Sequence, residues 1–463
     1  MFRGSVKSLH FVGIGGIGMS GIAEVLLNLD YRVTGSDMRD GAAVKRLRKL
    51  GAEITVGHAP QNVEGADVVI RSTAVSMENV EIVAAVRLGV PVIRRAEMLA
   101  ELMRLKYGVA VAGSHGKTTT TSMLAATLAQ GGLDPTVVIG GKLDSLGGTN
   151  ARLGLGEYMV AEADESDGTF LLLSPTVAIV TNIDPEHLDH YGSVAALEEA
   201  FLTFTNRVPF YGFGVMCVDH PVVQSLLPSV RRRVVTYGFA RHADYRAAKL
   251  RVSGVSSIFE VYRHNELLGE VSIDMPGKHN VNNALAAIAT SVELSIPFPD
   301  VADALSGFTG LQRRFSLRGD VDGVKIIDDY AHHPVEIRAT LDAAMAGFRQ
   351  QRIFAIFQPH RYSRASDLWD DFCAAFNGAD NVLVLPVYAA GETPIEGIDQ
   401  HAFAEALRGS GHRGALAMDT KDEVVAHLLK HIVQDDIVIT LGAGDVNAII
   451  DPLVAGLEQR IGK

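Results

Sequence analysis

Two glycine-rich turns, each between a short apolar run and an amphipathic segment, most constrain how this chain can fold. The first turn is Gly13-Ile14-Gly15-Gly16-Ile17-Gly18, which follows the apolar run 9–13. The second covers 113–117 and follows the apolar run 108–113. Such turns join a strand to a helix in parallel α/β sheets, because glycine lets backbone N–H groups approach an anion closely. The chain is therefore predicted to contain more than one α/β unit.

The fold class predicted for the chain is α/β with three domains. Short apolar runs alternate with amphipathic segments, and 463 residues at about 150 per domain correspond to about three domains. We place these domains at 1–106, 107–312 and 313–463. The first and third are predicted to be Rossmann-like. The second is predicted to be a P-loop-type, ATPase-like α/β domain, with antiparallel strands added where apolar and polar residues alternate over 251–274.

The individual elements follow from the same periodicity. The predicted strands are 9–13, 31–37, 67–70, 90–93, 108–113, 158–161, 177–180, 324–327, 353–357, 382–385, 415–418 and 437–441. The predicted helices include 20–29, 41–50, 118–130 and 334–346.

Composition excludes several classes of protein. Lys and Arg number 42 and Asp and Glu 54, a net charge of −12 that argues against nucleic-acid or anionic-membrane binding. Cys217 and Cys373 are the only cysteines, so no disulfide framework or cysteine metal cluster is expected. No apolar run reaches the roughly 18 residues that a membrane span needs. We therefore expect a cytoplasmic protein without membrane insertion.

The first glycine turn has the spacing of a dinucleotide-binding fingerprint. Its glycines would admit a pyrophosphate, and Asp37 lies 19 residues after Gly18, where such folds place a ribose-binding carboxylate. By itself the turn indicates a nucleotide diphosphate, and a dinucleotide-dependent dehydrogenase is the default expectation. Purely structural glycines, with Asp37 as a solvated turn residue, are the alternative.

The second glycine turn has the context of a phosphate-binding loop, between a buried strand and a helix. Lys117 would neutralise the β- and γ-phosphates, and Thr118 would reach Mg²⁺. Val111 stands where the common pattern has its first glycine. The turn predicts ATP or GTP, for which a hydride-transfer enzyme has no need.

Acidic side chains follow two of the predicted strands. Glu162, Asp164, Glu165 and Asp167 come after the strand ending at 161, and the segment 181–190 comes after the strand ending at 180. The carboxyl ends of parallel strands are the edge where α/β sheets bind ligands. Oxygen ligands suit magnesium, which makes Glu162 with Thr118 a natural choice. His187 is either a further ligand or a structural histidine.

Four segments together resemble the Mur ligase family, and the likeness covers essentially the whole chain. They are 13–19, 112–119, 181–190 and Asp328-Asp329-Tyr330-Ala331-His332-His333-Pro334. The last of these and His360-Arg361-Tyr362-Ser363-Arg364 are more specific than either glycine turn. The alanine-adding branch of the family is the most similar. Residues 198–212 contain no lysine, which agrees with that branch, because other branches place a carbamylated lysine there.

The resemblance implies a ligand for each domain. The first would bind UDP-N-acetylmuramate through its UDP part, the second ATP with Mg²⁺, and the third L-alanine. The implied UDP-sugar residues are Gly13, Gly15, Gly16, Gly18, Met19 and Asp37. The implied ATP residues are Gly113, Ser114, His115, Gly116, Lys117, Thr118, Thr119, His279, Asn280, Asn283, Arg314 and Asp329. The implied metal residues are Thr118, Glu162 and His187, and the implied amino-acid residues are Tyr330, His332, Arg361 and Arg364.

The arginine pair makes chemical sense at an amino-acid site. Two arginines three residues apart can converge on one carboxylate together with a tyrosine hydroxyl. Ordinary surface arginines at a helix start are the alternative.

The reaction implied is the joining of a sugar-borne lactyl carboxylate to the amine of L-alanine, with ATP cleaved to ADP and phosphate through an acyl phosphate. Lys117 would be catalytic, and His332 would either assist deprotonation of the amine or cap the following helix. Closure of the third domain before chemistry is expected, with a monomer or weak homodimer as the assembly. The alternatives are a murein-tripeptide recycling ligase, an NAD(P)-dependent oxidoreductase built on the first turn, and a regulatory protein that binds nucleotide without catalysis.

Overall fold

The computed structural model describes residues 6–72, 74–143 and 149–461. The chain forms two compact units. The first holds residues up to Ala248 with Glu260–Val271 and Asn282–Thr309, and the second holds Lys249–Phe259, Ser272–Val281 and the residues from Gly310 onward.

A five-stranded parallel sheet opens the first unit. Its strands are β1 (Ser8–Val12), β2 (Arg32–Asp37), β3 (Glu53–Val56), β4 (Val68–Arg71) and β5 (Val92–Arg94), in the order β3-β2-β1-β4-β5. Its helices are α1 (Ile17–Asn28), α2 (Ala42–Lys49), α3 (Val80–Arg87) and α4 (Arg95–Met103). Strand β1 is buried along its whole length, as expected for the central strand of a sheet covered on both faces. The first glycine turn therefore lies at the carboxyl edge of the middle strand.

A ten-stranded sheet follows in chain order. Its strands are β6 (Tyr107–Ala112), β7 (Thr136–Leu143), β8 (Thr149–Arg152), β9 (Tyr158–Glu162), β10 (Val177–Val180), β11 (Phe213–Cys217), β12 (Val234–Gly238), β13 (Tyr245–Ser253), β14 (Ser256–Arg263) and β15 (Glu266–Ile273). Their order is β15-β14-β13-β12-β11-β10-β6-β9-β7-β8. Strands β9, β6, β10, β11 and β12 run parallel, and β7 pairs antiparallel with β8. Two-residue turns join β13 to β14 and β14 to β15, as in hairpins.

The helices of this segment place the second glycine turn. They are α5 (Lys117–Gln130), α6 (Leu188–Tyr191), α7 (Val194–Asn206), α8 (Pro221–Leu226), α9 (Lys278–Glu293) and α10 (Phe298–Ser306). Helix α5 begins directly after the turn that leaves β6, and β6 lies between β9 and β10. The acidic segments that follow β9 and β10 thus emerge on both sides of the turn.

A six-stranded sheet forms the second unit. Its strands are β16 (Ser316–Val321), β17 (Val324–Asp329), β18 (Ile353–Phe357), β19 (Asn381–Val384), β20 (Ala415–Ala417) and β21 (Ile437–Leu441), in the order β16-β17-β21-β18-β19-β20. Its helices are α11 (Pro334–Gly347), α12 (Tyr362–Asp367), α13 (Trp369–Cys373), α14 (Gln400–Gly409), α15 (Lys421–His431) and α16 (Ile450–Ile461). Neighbouring residues of one strand enter opposite cores: Ile327 packs with one apolar cluster and Ile326 with another. Helices therefore cover both faces.

The predicted three-part α/β architecture, with antiparallel strands added to the central part, is confirmed. Each sheet draws its strands from one of the predicted segments, while the boundaries at 106 and 312 stay predictions. Edge strands β3 and β16 escaped prediction because their exposed side chains give no continuous apolar run. Strands β7, β8, β11 and β12 were also missed. Among the described residues, no helix combines the length and apolar character that crossing a bilayer requires.

Candidate functional site

The first glycine turn is held by the end of β2. The backbone N–H groups of Gly13 and Ile14 donate to the Ser36 carbonyl at 2.9 and 3.0 Å. The N–H of Gly15 donates to Asp37 Oδ2 at 2.8 Å, and a Cβ at Gly15 would lie 2.8 Å from that oxygen. Asp37 thus braces the turn directly. One carboxylate oxygen of Asp37, Oδ2, therefore holds the backbone of the turn.

The other predicted residues of this turn differ in position. Met19 is 1% exposed, and its side chain packs in the hydrophobic core. Gly18 faces Arg95, whose guanidinium would lie 2.8 Å from a Cβ at that glycine. Arg95 also lies 3.8 Å from Asp164, which follows β9. A cation that sequence analysis missed therefore lies beside the first turn and near the acidic segment.

The second glycine turn requires glycine at both ends. Gly113 has φ +139°, and a Cβ there would lie 2.0 Å from the Thr181 hydroxyl oxygen. Gly116 has φ +80°, and a Cβ there would lie 2.5 Å from Asn283 Oδ1. The Thr120 hydroxyl of α5 donates to the same amide oxygen at 3.2 Å. Asn283, one of the implied ATP residues, packs against the turn itself.

Side chains that follow β10 fix the middle of this turn. Asn182 accepts the His115 N–H at 2.7 Å and donates to the His115 carbonyl at 3.0 Å. The Ser114 hydroxyl oxygen accepts the Asp184 N–H at 2.9 Å, and the His115 ring lies 3.4 Å from the Asp184 carboxylate. The predicted residues Ser114 and His115 are thus bound to the next strand end, which makes the loop rigid.

Lys117 lies at the centre of this site. Its ammonium donates to the carbonyls of Gly113 and Ser114 at 2.6 and 3.1 Å, and to Glu165 Oε1 at 2.9 Å. Burial opposes its charge, but the carboxylates, Glu165 first, outweigh burial and raise the pKa of Lys117. The cation is held at the mouth of the turn, where a phosphate would need it.

Glu165 is 1% exposed, and burial raises the pKa of its carboxyl to about 7, against the opposing attraction of Lys117. Its Oε2 is buried and makes no hydrogen bond within the described part of the chain. Ligand atoms of Glu165, Glu186 and His187 all lie within 4.8 Å of one another. A buried carboxylate oxygen in an oxygen-rich set is what Mg²⁺ prefers, so these residues fit the ion.

One of the three predicted metal residues, His187, belongs to this set. Thr118 is the second residue of α5. Glu162 ends β9, and its carboxylate lies close enough to Lys117 to help raise the pKa of the lysine. His187 has φ +57° and belongs to the set, whereas Glu162 does not. Burial lowers the pKa of His187, which keeps its imidazole neutral and able to bind a cation.

Tyr330 and Asp329 lie where β17 ends in the second unit. The guanidinium groups of Arg313 and Arg314 lie over the Tyr330 ring at 5.1 and 5.3 Å. Asp329 accepts the N–H groups of Ala331 and Phe315 at 2.7 and 2.8 Å. Burial raises the pKa of Asp329 to about 6, although Arg314 and these N–H groups oppose the rise.

His332 is a neutral histidine with a defined tautomer. Its Nδ1 lies 3.0 Å from the Tyr330 carbonyl, which can only accept, so Nδ1 carries the proton and Nε2 has the lone pair. Burial lowers its pKa to about 4 despite the nearby Glu336 carboxylate. The helix cap is a different residue: His333 caps α11, reciprocally with Glu336. His332 therefore does not cap α11, which was the structural alternative for this residue.

Arg361 and Arg364 begin α12 after β18. Arg361 has φ +70° and ψ 136°, a backbone conformation that favours glycine. Its N–H donates to the Tyr388 carbonyl at 2.9 Å. Arg364 lies 3.4 Å from His360, whose ring stacks on Tyr388 with 5.5 Å between centroids. Strain of this kind persists only where the surroundings enforce it, and it is concentrated at functional sites.

His279 and Asn280, two of the implied ATP residues, lie in the first turn of α9. Burial lowers the pKa of His279 to about 4, so the ring is neutral at neutral pH. Asn280 is buried and donates to the Pro276 carbonyl at 2.9 Å. His279 lines a cavity of about 1110 Å³ in the second unit, together with Gly277 and Phe348.

Sequence reasoning did not select several of the functional candidates. Asn182, Glu165 and Glu186 all lie in the acidic or polar segments that follow β9 and β10. Their positions were therefore flagged, but the choice among them depends on side-chain direction. Arg95 gave no signal, because a single arginine after a short strand is common.

Comparison with known proteins identifies the family. Three family models match the chain: the Mur ligase family catalytic domain over residues 8–107, the Mur ligase middle domain over 111–291 and the Mur ligase glutamate ligase domain over 313–444. The UDP-N-acetylmuramate–L-alanine ligase of Geobacter sp. (strain M21) is 54% identical over 443 residues, which cover 96% of each chain. The chain belongs to the Mur ligase family.

Solved structures of Mur ligases share its fold. The UDP-N-acetylmuramate–alanine ligase of Thermotoga maritima is 32% identical, with a TM-score of 0.80 over 98% of this chain and 100% of that one. A murein peptide ligase of Psychrobacter arcticus is 26% identical, with a TM-score of 0.69 over 97% of this chain and 98% of that one.

Proposed function

We propose that this chain is a UDP-N-acetylmuramate–L-alanine ligase that uses ATP to activate the sugar-borne carboxylate. The observation that carries the proposal is Lys117, held at the mouth of a rigid phosphate-type turn beside the buried Glu165. The 54% identity to a ligase of that name supports the same substrates. An oxidoreductase would leave both this lysine and the strained Arg361 without a purpose.

The first step is phosphoryl transfer. A carboxylate is a poor acyl donor because oxide would have to leave, whereas an acyl phosphate releases phosphate. The sugar carboxylate oxygen attacks the γ-phosphorus of ATP, the bond to the β-phosphate oxygen breaks, and ADP departs. Both reactants are anionic, so the Lys117 ammonium lowers the barrier by offsetting their repulsion.

Magnesium fits the acidic set beside this lysine. Thr118 and Glu162 would hold one ion and His187 a second, with Glu165 and Glu186 as the carboxylates that the geometry places beside His187. The ions, when bound, supply positive charge to the phosphates. Lys117 and the backbone N–H groups of the turn then orient the γ-phosphoryl group.

The second step is attack of the alanine amine on the acyl carbon, after which phosphate leaves. Arg361 and Arg364 would bind the alanine carboxylate, with Tyr330 beside them. The amine must lose a proton to become a nucleophile, and His332 Nε2 has the lone pair to accept it.

Three further features belong to this proposal. The segments 1–106, 107–312 and 313–463 act as the UDP-sugar, ATP and amino-acid domains, and the third closes before chemistry. The protein works in the cytoplasm as a monomer or weak homodimer, without nucleic-acid partners. Analytical ultracentrifugation tests the assembly state.

The activity test is phosphate release from ATP with Mg²⁺ and UDP-N-acetylmuramate, adding one amino acid at a time. We expect release to depend on both the UDP-sugar and L-alanine and to stop when EDTA removes the metal. The tripeptide acceptor of a recycling ligase is the control. Faster release with tripeptide than with L-alanine would assign the chain to recycling.

A second test concerns His332. Replacing His332 with Gln removes the proton acceptor and is expected to lower kcat by about 100-fold. Because the pKa of His332 is about 4, the imidazole is neutral from about pH 5 upward, and the wild-type to variant rate ratio should stay constant from about pH 5 to 8. A rate ratio that decreases as the pH drops below about 6.5 would indicate that the imidazole has an ordinary pKa. An unchanged kcat would exclude the role altogether.

A further inference from the structure

Glu81 is a fully buried carboxylate that the catalytic steps do not use. It lies in the first turn of α3, and its exposed fraction is 0%. The Asn79 side chain caps this helix by accepting the Glu81 N–H at 2.9 Å. Burying a carboxylate is costly unless donors surround it, so its position requires an explanation.

Donors from two segments surround this carboxylate. Oε2 accepts the Ser36 hydroxyl at 2.5 Å, with His58 Nδ1 at 3.3 Å. Oε1 accepts the Asn62 amide at 2.5 Å and the Ala59 N–H at 3.2 Å. The carboxylate thereby connects the end of β2 to the segment that follows β3.

A third segment contributes a buried histidine. His10 Nε2, on the central strand β1, lies 3.5 Å from Glu81 Oε2, and its Nδ1 lies 2.8 Å from the Thr34 hydroxyl. Burial favours the neutral acid, but the donors from His10, Ser36 and Asn62 outweigh it and lower the pKa of Glu81 to about 2. The group is therefore an anion at neutral pH.

Ser36 transmits the position of Glu81 to the first glycine turn. Its hydroxyl is bound by Glu81, and its carbonyl accepts the N–H groups of both Gly13 and Ile14. The next residue, Asp37, accepts the N–H of Gly15. Three consecutive N–H groups of the turn are therefore oriented by two residues, one of which Glu81 anchors.

We propose that Glu81 is a positioning residue for UDP-sugar binding, acting through Ser36 on the first glycine turn. The inference rests on the proposed function, because the turn is assigned there to the UDP part of the substrate. The N–H groups of Gly13, Ile14 and Gly15 already donate to Ser36 and Asp37, so they fix the backbone of the turn, and a pyrophosphate would meet the N-terminus of α1 that follows. A loosened turn displaces this helix end and costs affinity for this one substrate.

Glu81→Gln tests this role with a side chain of nearly the same shape. The amide replaces one acceptor with a donor that faces other donors. We expect the KM for UDP-N-acetylmuramate to rise about tenfold or more, with kcat and the KM values for ATP and L-alanine within about twofold of wild type. Glu53→Gln, the same change at an exposed position of the same sheet, should leave every constant unchanged.

Ser36→Ala is the second variant, because Glu81→Gln could fail to fold. It removes the hydroxyl and keeps the carbonyl, and we expect a smaller rise of the same KM. The effects of the two changes should be less than additive in the double variant. A lowered unfolding temperature with an unchanged KM for the UDP-sugar, or an equal loss of all constants, would make Glu81 merely structural.

Calorimetric titration with UDP separates this inference from the proposed function. Suppose that wild type binds UDP more tightly than Glu81→Gln but does not join L-alanine to UDP-N-acetylmuramate. The proposed function then fails and the positioning role stands. If wild type is an active ligase and both proteins bind UDP equally, the positioning role fails.

Discussion

Replacing Lys117 with Met is expected to lower the rate of ligation by about 10³-fold, because one cation opposes the repulsion between the sugar carboxylate and the γ-phosphate. Methionine preserves the length and the apolar part of the side chain. The loss should appear in kcat, while UDP-sugar binding persists, since the first glycine turn belongs to a different sheet. Steady-state phosphate release and UDP titration measure the two effects separately.

Stability needs its own control in this experiment. Removal of the lysine leaves Glu165 buried without its cation, which costs about 3–5 kcal/mol when a buried pair is broken. Lys117→Met with Glu165→Gln removes both charges and should recover most of that stability without recovering activity. If this double variant were as stable as wild type and ligated at a comparable rate, the proposed mechanism would be wrong.

The second large effect is expected at Arg361. Arg361→Ala removes a charged hydrogen-bond donor to the alanine carboxylate, and the KM for L-alanine should rise about 10- to 100-fold. The KM for ATP should not change. Arg413→Ala, an exposed arginine in the same unit, is the matched control and should have no effect.

Arg361→Gly separates binding from backbone strain. Arg361 has φ +70°, which glycine adopts readily, so the glycine variant should be about 1 kcal/mol more stable than the alanine variant in denaturant unfolding. Both should bind alanine equally poorly. A KM for L-alanine that stayed at the wild-type value in both would remove Arg361 from the amino-acid site.

The sequence predicted the parts of the site that depend on local pattern. Lys117 and Thr118 were predicted as phosphate-site residues because a buried strand, a glycine turn and a helix start occur together within a dozen residues. The pair Arg361 and Arg364 was found through a family motif. Met19, which follows the glycines, has its side chain in the core, and its place at the UDP-sugar stays a prediction.

Interactions between distant segments could not be predicted in this way. Glu165 pairs with Lys117 across 48 positions of sequence, and Ser36 binds Glu81 across 45. Neither glutamate differs in sequence from an ordinary surface acid. Their roles arise only when sheet order brings separate strand ends together and removes water from them.

By itself, the sequence determined the three-part α/β architecture and the two glycine turns, because apolar periodicity and glycine spacing act over a few residues. The family followed from the resemblance of its motifs, above all those at 328–334 and 360–364. Only the tertiary structure decided which carboxylates are buried, which histidine is neutral and which backbone is strained. Those properties depend on what surrounds a group in space, and packing between distant segments supplies those surroundings.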